Sequence, residues 1–159
     1  LNTYGYTHSP VTKKDMCIGI EARADDRWPT KRWNKYEQLA ERLRADGCDI
    51  LFFQQRDTLA QYINDIRHCD LVNTGDTLAL HIALALKINI VAIFTCTSPA
   101  EIYNYGGMTK VISPLLDKAF YSREYVREAV EAVSLESVYN AIKTMIGTPH
   151  ARSIHNNSY

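Results

Sequence analysis

Between Cys69 and Phe94 the chain passes from one short apolar run, Cys69 to Val72, through a glycine turn and a helix-forming stretch to a second apolar run, Ile88 to Phe94. Strands joined through a helix lie parallel in one sheet, because only a crossover connection leaves room for the helix. The turn Asn73-Thr74-Gly75-Asp76-Thr77 therefore falls outside the carboxyl ends of the strands, where open parallel sheets bind their ligands. The first amides of the following helix point into that crevice and favour an anion such as a pyrophosphate. Gly75 can take backbone angles closed to other residues, and Asp76 is a good helix cap that can also bond a sugar hydroxyl. The plainer reading of these residues is a capped helix start with a core histidine, His81, one turn later.

The same alternation extends in both directions. Met16–Ile20 and Asp49–Phe53 read as strands. Between them Tyr36, Leu39, Ala40 and Leu43 recur at helical spacing, with Gly47 placed to end that helix. Leu59, Tyr62, Ile63 and Ile66 mark a second amphipathic helix with Asp57 as its expected cap. The third helix is expected over Thr77–Leu86, followed by the strand Ile90–Phe94, a long loop over Thr95–Gly107 and a last strand at Lys110–Ile112. Two helices close the pattern: Val126, Ala129, Val130 and Val133 behind Ser122, and Leu135, Val138, Tyr139 and Ile142 behind Ser134. Strands alternating with helices define an open, mostly parallel Rossmann-like α/β sheet with helices on both faces. Residues 1–14 read as a linker or interdomain segment, 15–147 as the domain and 148–159 as a disordered tail.

Bulk properties narrow the function. The 159 residues carry no net charge, with acids and bases mixed along the chain, which offers nothing to a nucleic acid or a polybasic membrane anchor. The four cysteines, Cys17, Cys48, Cys69 and Cys96, form no Cys-x-x-Cys pair and fit reduced buried thiols in a cytosolic protein. No apolar run approaches the ~20 residues of a membrane span, and no signal peptide opens the chain. The start at Leu1 fits a fragment, a processed product or an excised domain.

The first strand-to-helix connection, Glu21 to Trp33, packs Arg23, Arg27, Lys31, Arg32 and both tryptophans into the other loop expected at the crevice. A lysine or arginine there could clamp a diphosphate through charge-assisted hydrogen bonds. The alternative is a solvated basic loop whose tryptophans pack on the neighbouring helix. Asp25-Asp26 makes a weak metal site, since two adjacent carboxylates lack a third ligand and the arginines can neutralise them.

Taken in order, Trp28-Pro29-Thr30-Lys31-Arg32-Trp33, Asp76-Thr77 with His81, Phe94-Thr95-Cys96-Thr97-Ser98-Pro99 and Tyr105-Gly106 resemble glycosyltransferase family 9, the lipopolysaccharide heptosyltransferases and their relatives. That family carries a Lys-Arg-Trp element, an Asp-Thr-Gly-x-x-His helix start, a Phe-Gly-Pro-Thr-x-Pro loop and a Tyr-Gly pair. The resemblance spans about residues 16–146 and implies the carboxyl-terminal, donor-binding half of a two-domain GT-B enzyme. It implies an inverting, metal-independent transfer from a nucleotide sugar, an ADP-sugar foremost, with no cofactor. Lys31 would meet the donor phosphates, with Arg27 as a rival; Asp76 would meet sugar hydroxyls; Gly75, Thr77 and the helix amides would hold the diphosphate. His81 would support the turn, and Thr97 would complete the donor site. The catalytic carboxylate is expected on an amino-terminal half or partner chain, so the isolated chain is expected to be inactive. A cytoplasmic setting follows, with peripheral contact at the inner face of the membrane allowed.

The departures are specific. Leu78 replaces the glycine after Asp-Thr and crowds the phosphate approach, Thr95-Cys96 replaces Gly-Pro, and the stretch between the second and third strands is short. The block shortened there usually carries the acid for the nucleotide ribose. Two other readings fit these changes: a non-catalytic nucleotide-binding or scaffold module on a degenerate GT-B half, and an enzyme like the polysaccharide pyruvyl transferases.

Overall fold

The computed structural model describes residues 15–103 and 106–147. The expected segments 1–14 and 148–159, and Tyr105, lie outside the described residues. The strands are β1 (Cys17–Glu21), β2 (Asp49–Phe52), β3 (Leu71–Thr74), β4 (Asn89–Phe94) and β5 (Met108–Ile112). They form a five-stranded sheet in the order β2-β1-β3-β4-β5, and every pairing is parallel. The expected open parallel α/β sheet is thus what the chain forms. The chain leaves β1 towards one edge for β2 and returns past β1 to build β3, β4 and β5. The strand order reverses between β1 and β3, which is where a sheet of this kind opens a crevice.

Among the described residues six α-helices accompany the sheet: α1 (Tyr36–Ala45), α2 (Leu59–Arg67), α3 (Leu78–Ala85), α4 (Leu116–Ala119), α5 (Arg127–Glu131) and α6 (Leu135–Ile146). Alternate strand residues face opposite sides, and the two cores follow. Ile18, Ile20, Leu71, Val91 and Ile93 pack with Leu39 and Leu43 of α1 and Val138 and Ile142 of α6. Val72, Ile90 and Phe94 pack on the other side with Ile66 of α2 and Leu80 of α3.

Helix ends differ from the sequence expectations in instructive ways. Thr58, not Asp57, caps α2: its hydroxyl accepts from the Gln61 amide while the Gln61 side chain returns to the Thr58 amide. Asp76 is not the cap of α3; Thr77 occupies that position without a side-chain capping bond. Gly47 ends α1 as expected, at φ +89°, with its amide bonded to the Arg44 carbonyl at 3.0 Å and the Cys48 amide to Leu43 at 3.0 Å. The short α4 was not legible, and α5 begins after Val126 rather than near Ser122.

Candidate functional site

An open cleft of about 880 Å³ lies over the carboxyl ends of β1, β2 and β3, within the ~300–1,000 Å³ usual for small-molecule sites. Its α3 wall is built by the β3–α3 turn and the connection after β1. Lys31 ends a single 3₁₀ turn, Pro29–Lys31, which aims its ammonium at Asp76, with Nζ 3.5 Å from Oδ2. His81 Nε2 stands 3.9 Å from Oδ1 of the same carboxylate. Both separations are longer than good charged hydrogen bonds, so the pair is associated but not locked.

Gly75 has a different task from the one expected. Its φ lies outside the left-handed region, and what requires glycine is close approach: a β-carbon here would meet the Lys31 carbonyl oxygen at 2.9 Å. The two ligand-side loops are pressed together through this position. Thr74 and Thr77 hydroxyls lie 2.8 Å apart and tie the turn. No side chain caps α3; within its first turn the Leu80 amide bonds to the Thr77 carbonyl at 3.1 Å, and Thr77 and Leu78 are the residues of that turn that line the cleft. Leu78, the first residue of α3, is exposed and stands in the cleft lining, so the expected crowding of that entrance is present.

The structure divides the basic loop. Trp33 is buried and donates its indole N–H to the Val133 carbonyl at 3.0 Å. Thr30 fixes the same segment by donating to the Glu124 carbonyl and accepting from the Val126 amide, and Thr95 donates to the Thr30 carbonyl. The Trp28 ring instead lines the cleft, with Lys31 Nζ 5.7 Å from its centroid. Arg27 turns back on Asp25, with Nη2 3.0 Å from Oδ2, and stays outside the cleft lining. That contact holds the Asp25 carboxyl below the usual carboxylate range. Arg32 faces Asp26, itself fully exposed. Thr97 is buried and, like Gly75, does not line the cleft. Lys31, Asp76, Thr77 and His81 are the sequence candidates that the cleft brings together.

On the β1 wall the sequence offered Arg23 as one of the loop's cations, but not Glu21 or Tyr62 as its partners. Glu21 ends β1, is 4 % exposed, and accepts from Arg23 Nε at 2.9 Å, Arg23 Nη2 at 2.9 Å and the Tyr62 hydroxyl at 2.6 Å. The bond to Glu21 holds the Arg23 guanidinium firmly protonated. Burial, reinforced by Glu21, pushes the Tyr62 phenol far above its ordinary value. A signal was there: an acid closing an apolar strand, followed two residues later by an arginine. Among the described residues no cluster of side chains could hold a metal, and no helix is long and apolar enough to cross a membrane.

The sheet order and the crevice at its switch point define a Rossmann-like α/β domain. Within it, residues 55–124 match the model of glycosyltransferase family 9 (heptosyltransferase), so the resemblance seen in the motifs is borne out. A glycosyl transferase of family 9 from Veillonella parvula has a similar structure, with a TM-score of 0.63 and 17 % identity over 86 % of this chain and 47 % of that one. The iron-containing dodecameric glycosyltransferase TibC from enterotoxigenic E. coli aligns with a TM-score of 0.58 and 13 % identity over 89 % of this chain and 49 % of that one. This chain spans about half the length of both, and at these identities the likeness is one of fold. No curated protein matches the chain in sequence.

Proposed function

We propose that the cleft binds the nucleoside diphosphate of a nucleotide-sugar donor, and that the chain is the donor-binding half of an inverting, metal-independent glycosyltransferase. The observation that carries this reading is the convergence of Lys31, Asp76 and the uncapped amino terminus of α3 on one wall of the cleft. Helix amides and one ammonium suit a diphosphate, whose charge grows as it departs from the anomeric carbon. Asp76 lines the cleft beside Lys31 and His81 and would accept sugar hydroxyls in this reading. An adenine base is what the family resemblance implies.

The acceptor's general base belongs elsewhere in this reading. It must reach the acceptor hydroxyl from across the cleft, whereas Glu21 is saturated by Arg23 and Tyr62 and Asp25 is paired with Arg27. A second half, in the same protein or a partner chain, would supply it, and the chain alone would transfer nothing. A cytoplasmic location accompanies this reading, because nucleotide sugars are the donors it requires.

Calorimetric titration with inorganic pyrophosphate and nucleoside diphosphates tests it. Lys31→Ala should weaken all of them by about ten-fold, the worth of one charged hydrogen bond. Absence of binding by the wild-type chain at millimolar ligand would sink the donor-site reading and leave the scaffold alternative.

A further inference from the structure

Away from the cleft, at the amino ends of the strands, two thiols stand in contact. Cys17 opens β1 and Cys69 lies in the connection from α2 to β3. Their sulfurs are 3.9 Å apart, with the Cys17 thiol donating to Cys69 Sγ. Asp70 brings them together: its amide donates to the Cys17 carbonyl at 2.8 Å, and its carboxylate accepts from the Cys17 amide at 2.8 Å. The residue before it, Cys69, is thereby tied beside the first residue of β1. Its sulfur reaches over that strand because Gly19, two residues on from Cys17 and on the same face, carries no side chain. A β-carbon at Gly19 would stand 2.7 Å from Cys69 Sγ.

Neither of the other thiols competes for this contact. Cys48 packs on the opposite face of the sheet, with the core of α1 and α6, and Cys96 packs with Ala119 and Ala129. Cys17 and Cys69 belong to one core, with Phe53 and Val72. A disulfide sets its sulfurs about 2.05 Å apart, so this pair has roughly 2 Å to close, a movement within the reach of side-chain rotation. The two thiols differ in access. Cys17 is half-buried, whereas Cys69 is 6 % exposed, and burial pushes its thiol well above the ordinary range. An oxidant therefore meets Cys17 first.

We propose that Cys17 and Cys69 form an oxidation site, which a peroxide closes into a reversible disulfide. Hydrogen peroxide transfers one oxygen to the Cys17 sulfur, giving the sulfenic acid and one water. The Cys69 sulfur then attacks the Cys17 sulfur: the S–S bond forms as the S–O bond breaks, and the Cys69 proton leaves with the hydroxyl as a second water. Two thiols lose two electrons, and one peroxide is reduced to two waters. A thiol reductant reverses the step by exchange. The link pins the start of β1 to the α2–β3 connection and closes a long loop of the unfolded chain, which stabilises the fold. This site stands independently of what the cleft binds.

The test is to treat the full chain with hydrogen peroxide, unfold it in urea with an alkylating reagent and map its peptides, for wild type, Cys17→Ser and Cys69→Ala. Wild type should keep two of its four thiols, Cys48 and Cys96, with the Cys17 and Cys69 peptides joined until dithiothreitol separates them. Cys69→Ala should accumulate a sulfenic acid on Cys17 that dimedone traps, and Cys17→Ser should leave Cys69 open to alkylation. The urea midpoint of oxidised wild type should lie above that of the reduced chain by about 1 M or more, a shift neither variant shows. Alkylation of all the thiols after peroxide, a link between two chains, or a link to Cys48 or Cys96 overturns the assignment. A chain joined at Cys17 and Cys69 with a lowered midpoint also overturns it, because the native fold would then have to break to form the bond.

Discussion

The two walls of the cleft are built on opposite plans. On the α3 wall, Lys31, Asp76 and His81 stand 3.5 Å and 3.9 Å apart, close enough to attract and loose enough to exchange partners. On the β1 wall, Glu21, Arg23 and Tyr62 are joined by bonds of 2.6 to 2.9 Å around a buried carboxylate. A loose pair can trade its internal contact for a ligand's charge at little cost. A saturated group can only present what is left over, and it does so with fixed geometry. The first wall is built to exchange partners and the second to stay fixed.

The largest effect should come from overpacking the two loops that make the α3 wall. Gly75→Ala would drive a β-carbon to 2.9 Å from the Lys31 carbonyl oxygen, a backbone atom that cannot swing away. We expect a loss of roughly 1–3 kcal/mol of stability, as for other overpacked sites, together with loss of diphosphate binding. Urea denaturation paired with titration checks this; an alanine variant with wild-type affinity would show that the contact of the two loops does not set the α3 wall.

Asp76→Asn should act more mildly and only on the loose wall. It removes the carboxylate that holds Lys31 while Thr77 remains the helix cap, so stability should change by about 1 kcal/mol or less. Affinity for a nucleoside diphosphate should hold or rise, and the additional affinity of the matching nucleotide sugar should fall several-fold. Unchanged affinity for the sugar nucleotide would reduce Asp76 to a partner for Lys31.

The smallest effect belongs to a site remote from both walls. At the end of α1, the Tyr139 hydroxyl and then Lys143 hold the Asp46 carboxyl below its ordinary value of 3.8. A carboxyl depressed in the folded state stabilises the fold above that value and loses the contribution only as pH falls through its lower folded pKa. Asp46→Asn should thus cost little at neutral pH, cost nothing in strong acid and leave ligand binding untouched. Comparing urea midpoints of the two proteins at both pH values measures the difference.

How much of this was legible in the sequence depended on the range of the forces involved. Periodicity is local and reports burial directly, so the strands, the main helices and the parallel sheet could be read from residues such as Val91, Ile93, Leu39 and Leu43. Capping was less legible, because Asp57-Thr58 and Asp76-Thr77 each offer two competent side chains and only backbone geometry chooses between them. The basic loop was harder still. Composition assembled Arg23, Arg27, Lys31 and Arg32, but a tight turn with the Trp28 amide 2.9 Å from the Asp25 carbonyl curls Arg27 onto Asp25 and away from the cleft. Thr97 followed the motif yet is buried. The bond of Tyr62 to Glu21 was not legible, because Tyr62 sits on α2, forty-one positions further along the chain.

The central claim is that a diphosphate sits between Lys31 and the first turn of α3. Nuclear magnetic resonance tests it most directly, by following backbone amide shifts as pyrophosphate and then a nucleoside diphosphate are added to the labelled chain. The largest shifts are expected at Gly75 through Ala79 and around Lys31, with the nucleoside extending them to further residues of the cleft lining. Shifts confined to surface lysines and arginines elsewhere, with residues 75–79 unmoved at saturating ligand, would contradict it.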